Sequence, residues 1–186
     1  MTQEEVWGMI YGELFINLER NTKRTAEISK LLVDTYKSEI KFTSDTSYTV
    51  SFCKSMTLSL EDLKDPARFK LPFGGGCYEL LLMTSVAGER SIDINSLDNI
   101  RTNFIESYFK GDFAKKYPNV LFDYQKKVKE AGHQEAYNHW ILMYGDEDNF
   151  EKWKTANTSK WDSFIAWFKE NKLQLDESHR FHRSQY

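Results

Sequence analysis

The sequence predicts a mainly α fold: antiparallel helical pairs, resembling a helical repeat, with an irregular or short β insertion in the middle. Three observations carry this expectation. Between Ser96 and Phe168, apolar and aromatic residues recur at helical spacing in short runs that end at Gly111, Gly132 and Gly145. The first forty residues hold two further helical stripes. From Lys41 to Asn95 the texture changes, with Ser, Thr, Tyr and Val alternating and glycines clustering. The expected organisation is one helical domain over 1–172. It comprises an N-terminal helical hairpin (1–40), an irregular or α+β section (41–95) and an aromatic-rich helical half (96–172), followed by a polar tail (173–186).

The elements follow in order. Thr2-x-x-Glu5 has the form of a capping box. Val6, Trp7, Ile10, Leu14, Phe15 and Leu18 then make the first stripe, with Gly8 and Gly12 inside it. After polar Arg20 to Thr25, a second stripe runs through Ile28, Leu31, Leu32, Tyr36 and Ile40. The two are read as a hairpin turning near Asn21 and Thr22, with one long helix as the alternative. Tyr48, Val50 and Phe52 alternate as a strand does, and so do Met56, Leu58 and Leu60, which suggests a hairpin; a helix or irregular connection fits as well. Ser59 and Pro66 suit helix starts. Pro72 to Gly76 is the sharpest break in the chain. The apolar run from Cys77 to Val86 reads as a buried helix closed by Gly88, or as a buried strand.

In the C-terminal half Ser96 is the expected N-cap, with Leu97, Ile100, Phe104, Tyr108 and Phe109 on one face. Tyr117-Pro118 restarts the chain, and Leu121, Tyr124 and Val128 form the next stripe. Ala136, Tyr137, Trp140, Ile141 and Tyr144 follow. Asp146 or Asp148 then opens a helix carrying Phe150 and Trp153, and Thr158 or Ser159 opens the last, carrying Trp161, Phe164, Ile165 and Phe168. The tail ends HRFHRSQY and is expected to fray unless something docks it.

Composition excludes several classes. The chain has 186 residues, 40% of them hydrophobic, 15% aromatic and 28% charged, which is globular rather than disordered composition. A net charge of -3 argues against general nucleic-acid binding. No basic and apolar leader stands at MTQEEVW, and no run of about 18 apolar residues offers a membrane span, so a cytoplasmic protein is expected. Cys53 and Cys77 lack CxxC spacing and are expected to be reduced, with a bridge between them as the alternative.

The segment AYNHWILMYGDEDNFEKWKTANTSKWDSFIAWF invites comparison with known repeats. A Tyr–Trp helix ends at Gly, an acidic start follows, then a Trp helix and a terminal Trp–Phe helix. Over Ala131 to Asn171 this resembles the C-terminal part of bacterial tetratricopeptide-type helical proteins. The strict 34-residue period and the Trp-Leu-Gly-Tyr start are absent. The resemblance implies a helical binding scaffold and no chemistry.

Candidate chemistry is sparse. Gly74, Gly75 and Gly76 precede a helix, but Cys77, Tyr78 and Glu79 stand where a phosphate-binding loop places Lys and Ser or Thr. They are read as a turn or a close approach. His179 and His182, near Asp176 and Glu177, lack an identifiable third ligand and are read as a solvated tail. His133 and His139, six apart, fit no ligand spacing on one helix; one suits a helix start and the other suits packing. A Cys53 or Cys77 nucleophile paired with a histidine has no motif behind it. Glu13 and Glu19 lie about 120° apart on the first helix and are read as surface charge.

The tryptophans are the most distinctive feature: Trp140, Trp153, Trp161 and Trp167 fall close together. Aromatics on a second helix face mark interfaces. The expected binding residues are therefore Tyr144, Trp153 and Trp167, with the acidic turn at Asp146 and Asp148 offering a charged rim. The leading expectation is a non-enzymatic protein–protein interaction module in the bacterial cytosol, an inhibitor or immunity-type protein being a special case. It would be a monomer or homodimer, with no catalytic residues, metal or cofactor, no nucleic acid and no membrane. The alternative is an enzyme or ligand carrier with a pocket near Gly74–Cys77.

Overall fold

The structure is a computed structural model that describes residues 4–44, 47–54, 71–176 and 181–186. Among the described residues it is mainly α with one small antiparallel sheet. Thr2, Met56, Leu58, Leu60, Ser59, Pro66, Glu177 and His179 lie outside the described residues, and with them the expectations placed there.

Helices α1 (Glu5–Leu18) and α2 (Lys23–Glu39) form the N-terminal hairpin. Asn21 makes the reversal with φ at 59°, the left-handed region that asparagine tolerates better than most residues. Thr22 then caps α2: its hydroxyl accepts from Thr25 N at 3.2 Å, while Thr22 N donates to Thr25 Oγ1 at 2.9 Å. Gly12 sets the close approach, since a Cβ there would meet Ile28 Cγ2 at 3.1 Å. Not every apolar residue of the two stripes faces inward. Leu18 is 53% exposed and Leu31 is 60% exposed.

Strands β1 (Ile40–Ser44) and β2 (Ser47–Val50) pair antiparallel, with Phe42 opposite Tyr48. The chain then runs back to the start of α1, where Glu5 N donates to Phe52 O at 2.9 Å. Phe52 is fully buried between the rings of Tyr36 and Tyr78. A wide π-helical turn over Gly74–Glu79 leads into α3 (Leu80–Ser85), and Gly88, with φ at 96°, closes it. This helix is buried on one side only, because Leu80 and Met83 face outward.

Helix α4 (Ile94–Lys110) begins earlier than the expected cap. Asp93 is the N-cap, its carboxylate accepting from Asn95 N and Ser96 N at 2.9 and 3.0 Å. Ser96 instead sits at the third helical position and accepts from Asp93 N at 2.9 Å. The box is reciprocal, but its second member is the short Ser rather than Glu or Gln. Short α5 (Phe113–Lys116) and α6 (Val120–Glu130) follow, the latter capped by Asn119. Then come α7 (Gln134–Leu142), α8 (Glu147–Ala156), reached through a tight turn at Met143–Gly145, and α9 (Thr158–Glu170).

Helix α7 is the hub. It packs against α2, α4, α6 and α9, and seven consecutive residues from Ala136 to Leu142 are buried. Its end is fixed to α2: Ser29 Oγ donates to Ile141 O at 2.7 Å and accepts from Tyr144 N at 3.2 Å. Gly145 is required there, because a Cβ would run into Val33. The end of the tail is docked. Tyr186 packs against Phe73 and Trp7, with ring centroids 4.7 and 5.5 Å apart, and bonds through its hydroxyl to Pro118 O. Among the described residues, no helix is long and apolar enough to cross a membrane.

Candidate functional site

Two features stand out from the helical scaffold: a buried polar network at its centre and an aromatic cleft at its C-terminal side.

The network is built on Glu13, which is 4% exposed rather than on the surface. This overturns the expectation for that residue; Glu19 does lie outward, holding Arg24 at 2.5 Å. Arg101 of α4 grips Glu13 bidentately, Nη1 to Oε2 at 2.8 Å and Nη2 to Oε1 at 2.7 Å. Tyr137 of α7 donates to Glu13 Oε1 at 2.8 Å, and Gln125 of α6 donates to the same oxygen. Asn17 Nδ2 donates to the Tyr137 hydroxyl at 2.8 Å. Arg101 Nε reaches Asn138 Oδ1 at 2.9 Å, and Asn138 Nδ2 donates to Asp98 Oδ1 at 2.7 Å. One carboxylate thus ties four helices together. Burial opposes the Arg101 charge, but the Glu13 carboxylate beside it more than offsets this and holds the guanidinium pKa well above its ordinary value. A cavity of about 20 Å³ lies against Arg101 and Gln125, walled by Tyr36, Tyr78 and Phe104. That is room for about one water and for no substrate. The network joins side chains of α1, α4, α6 and α7.

The cleft has a volume of about 470 Å³ and lies among α7, α8, α9 and the turn between α1 and α2. That size falls in the range of ligand-binding clefts, roughly 300–1,000 Å³. Trp140, Phe150, Trp161 and Phe168 floor it. Their rings lock edge to face, Phe150 with Trp161 at 5.3 Å and Trp140 with Phe168 at 4.5 Å. Its rim is charged with both signs: Arg20, Lys154 and Lys169 against Glu147 and Glu151. The Arg20 guanidinium stacks on Phe168 at 3.7 Å and is held by Asn17 O at 3.1 Å and Phe168 O at 3.3 Å. Lys154 pairs with Glu151 at 3.3 Å and lies over both Phe150 and Trp161.

Of the residues expected to bind, the structure brings only Tyr144 to this cleft. Trp153 is buried behind it, stacked on His139 at 4.1 Å, its Nε1 donating to Glu135 Oε1 at 2.8 Å. Trp167 is half-buried and packs on His133, 5.3 Å between ring centroids, with Lys127 over its face. Asp146 precedes α8 and accepts from Asn149 at 3.0 Å, and Asp148 is exposed on its first turn; neither lines the cleft. Trp161 was the residue to single out. It stands one turn from Phe164 and two from Phe168 on the α9 stripe, and as the first aromatic of that stripe it is only half-buried where the other two are buried.

The Gly74–Cys77 region is packed. Gly74, Gly76 and Cys77 are buried, and a Cβ at Gly74 would meet Cys53 Sγ at 2.8 Å. Both cysteines carry thiols rather than a shared disulfide. His133 stands at the start of α7. His139 is buried, and burial depresses its pKa. Its Nδ1 faces Glu135 O at 2.9 Å, which assigns the ring proton to Nδ1. His182 is exposed and bonds to Ser184. Among the described residues no three His, Cys, Asp or Glu side chains converge as metal ligands do. No family model, no curated protein and no solved structure matches the chain.

Proposed function

We propose that the chain is a non-enzymatic protein-binding module in which the cleft between α7, α8 and α9 holds the apolar anchor of a partner segment. The observation that carries this is the cleft itself: four locked aromatic rings at the floor of a concavity with a rim of both charges. Rigid aromatic pockets of this kind are where binding energy concentrates, and a charged rim selects the partner. The resemblance of Ala131–Asn171 to the ends of bacterial tetratricopeptide-type proteins points the same way, towards a helical scaffold working in the bacterial cytosol. The binding set on this reading is Tyr144, Trp161, Phe150 and Phe168, flanked by Arg20 and Lys154.

A photo-crosslinking amino acid at Ile165, which lines the cleft, tests the reading against the same group at exposed Asn103. In a lysate of the source organism, the expected result is one protein cross-linked through one peptide at position 165, absent at position 103. Trp161→Ala in the same background should abolish it while the far-ultraviolet circular dichroism stays unchanged. Identical cross-linked sets at the two positions, or none at position 165, would overturn the proposal.

A further inference from the structure

A second surface lies on the N-terminal hairpin and shares no residue with the cleft. A groove of about 590 Å³ runs between α1 and α2, lined by Gly8, Met9, Gly12, Ile28, Leu31 and Leu32. Leu31, 60% exposed, stands at its edge as the most exposed large apolar side chain among the described residues. Gly8 opens onto the groove, since a Cβ placed there meets nothing within 4 Å. Glu5 and Glu39 line it too and are tied together by Lys54, at 3.4 and 3.3 Å.

The exposed flank of α2 beside Leu31 carries alternating charge: Lys23, Glu27, Lys30, Asp34 and Lys37, all exposed. Lys23 and Glu27 pair at 3.8 Å. Lys30, Asp34 and Lys37 make no ion pair among the described residues. The pattern is self-complementary about a point near Leu32. If α2 lies antiparallel to α2 of another copy with that centre, Lys30 faces Asp34 and Glu27 faces Lys37. The two-fold axis makes each pair twice, because residues on the same flank meet across an antiparallel seam. Leu31 of each copy then enters the groove of the other, above Gly8. We propose that the chain forms a two-fold dimer through this face, α2 antiparallel to α2, with Leu31 as the knob and the Gly8 groove as the hole.

The size of the face predicts the strength. The 17 residues of α2 rise about 25 Å, and two helices are about 20 Å across, giving a face of roughly 500 Å² per copy. Standard interfaces bury about 800 Å² per partner. The dimer is therefore weak and concentration-dependent, with the apolar contact supplying affinity and the exposed ion pairs setting register.

Sedimentation velocity across the micromolar range is the test. The wild type is expected to pass from monomer to dimer as concentration rises. Leu31→Asp and Gly8→Glu should both stay monomeric, with helical content retained because both positions are open. Lys30→Glu places two like-charge pairs in the seam and should weaken the dimer about ten-fold. Adding Asp34→Lys restores two opposite-charge pairs and should recover it, which no general effect of surface charge would do. A wild type that stays monomeric throughout, a dimer indifferent to Leu31→Asp and Gly8→Glu, or a double charge swap no better than Lys30→Glu each overturns the proposal.

Discussion

Arg101→Met is the most informative change in the core. It keeps the aliphatic stem and removes the guanidinium, and with it two hydrogen bonds to Glu13, at 2.8 and 2.7 Å, and one to Asn138, at 2.9 Å. The Glu13 carboxylate, 4% exposed, is left with Gln125 and Tyr137 as donors and no countercharge. Stripping a buried charge of its partner costs about 3–5 kcal/mol. That is two to four orders of magnitude, roughly, in the folding equilibrium. For a chain of this length it lowers Tm by about 6–20 °C. Urea titration followed by circular dichroism measures it, with the slope against urea expected to stay constant. Glu13→Gln alone strands Arg101 instead and should also destabilise. The double variant Glu13→Gln, Arg101→Met removes both charges, so it should be more stable than Arg101→Met alone by at least about 1 kcal/mol. A loss under about 1 kcal/mol for Arg101→Met, or strict additivity in the double variant, would refute the network as the fastener of four helices.

Two further predictions follow from named contacts. Burial holds His139 below its ordinary pKa of 6.5 against the opposing pull of Glu135 and Asp98, so the folded chain resists protonating it. The unfolded chain takes up that proton as pH falls through 6.5; the contribution of His139 to stability is therefore present above that pH and lost below it. Denaturation midpoints measured from pH 8 to pH 5 should fall, and His139→Gln should flatten that slope, with the residue attributable to His133, whose pKa burial also lowers. Glycine replacement separates two roles. Gly145→Ala should destabilise by about 1–3 kcal/mol because its Cβ runs into Val33. Gly8→Ala, with open space around it in mid-helix, should stabilise by about 0.5–1 kcal/mol. Equal effects at the two positions in urea titrations would mean that the close approach of α2 to the Gly145 turn is not tight.

What the sequence made legible was set by local chemistry. Asn21 and Thr22 turn the first hairpin because one tolerates a positive φ and the other caps, and both facts belong to the residues themselves. Gly132, with φ at 79°, ends its helix for an equally local reason, whereas Gly145 is demanded by the approach of Val33 from α2. The start of α4 moved three residues because a reciprocal Asp93–Ser96 box hides Ser96 as a cap in its own right. The alternation at Tyr48 and Val50 marked one strand, but its partner is Ile40–Ser44, which continues directly from α2.

The functional features depended on which helices meet, and that is where periodicity falls silent. Glu13 was weighed against Glu19 on its own helix, while its partner stands 88 residues away. A signal was nevertheless present. Glu13 falls one turn from Ile10 and two from Val6, inside the apolar stripe. Arg101 sits one turn from both Leu97 and Phe104, Gln125 one turn from both Leu121 and Val128, and Asn138 one turn from Ile141. Polar residues inside each of four apolar stripes are hard to reconcile with four independent surfaces, because each alone would leave a buried polar group unpaired. Together they satisfy one another, and the constraint runs backwards: stripes carrying such residues must converge. The cleft has no comparable internal bookkeeping. Trp153 and Trp161 have similar sequence surroundings, yet one is covered by His139 and the other opens onto the concavity. That difference is decided by α7, whose His139 stacks on Trp153 and whose Glu135 accepts from its Nε1, contacts that lie outside the sequence surroundings of either tryptophan.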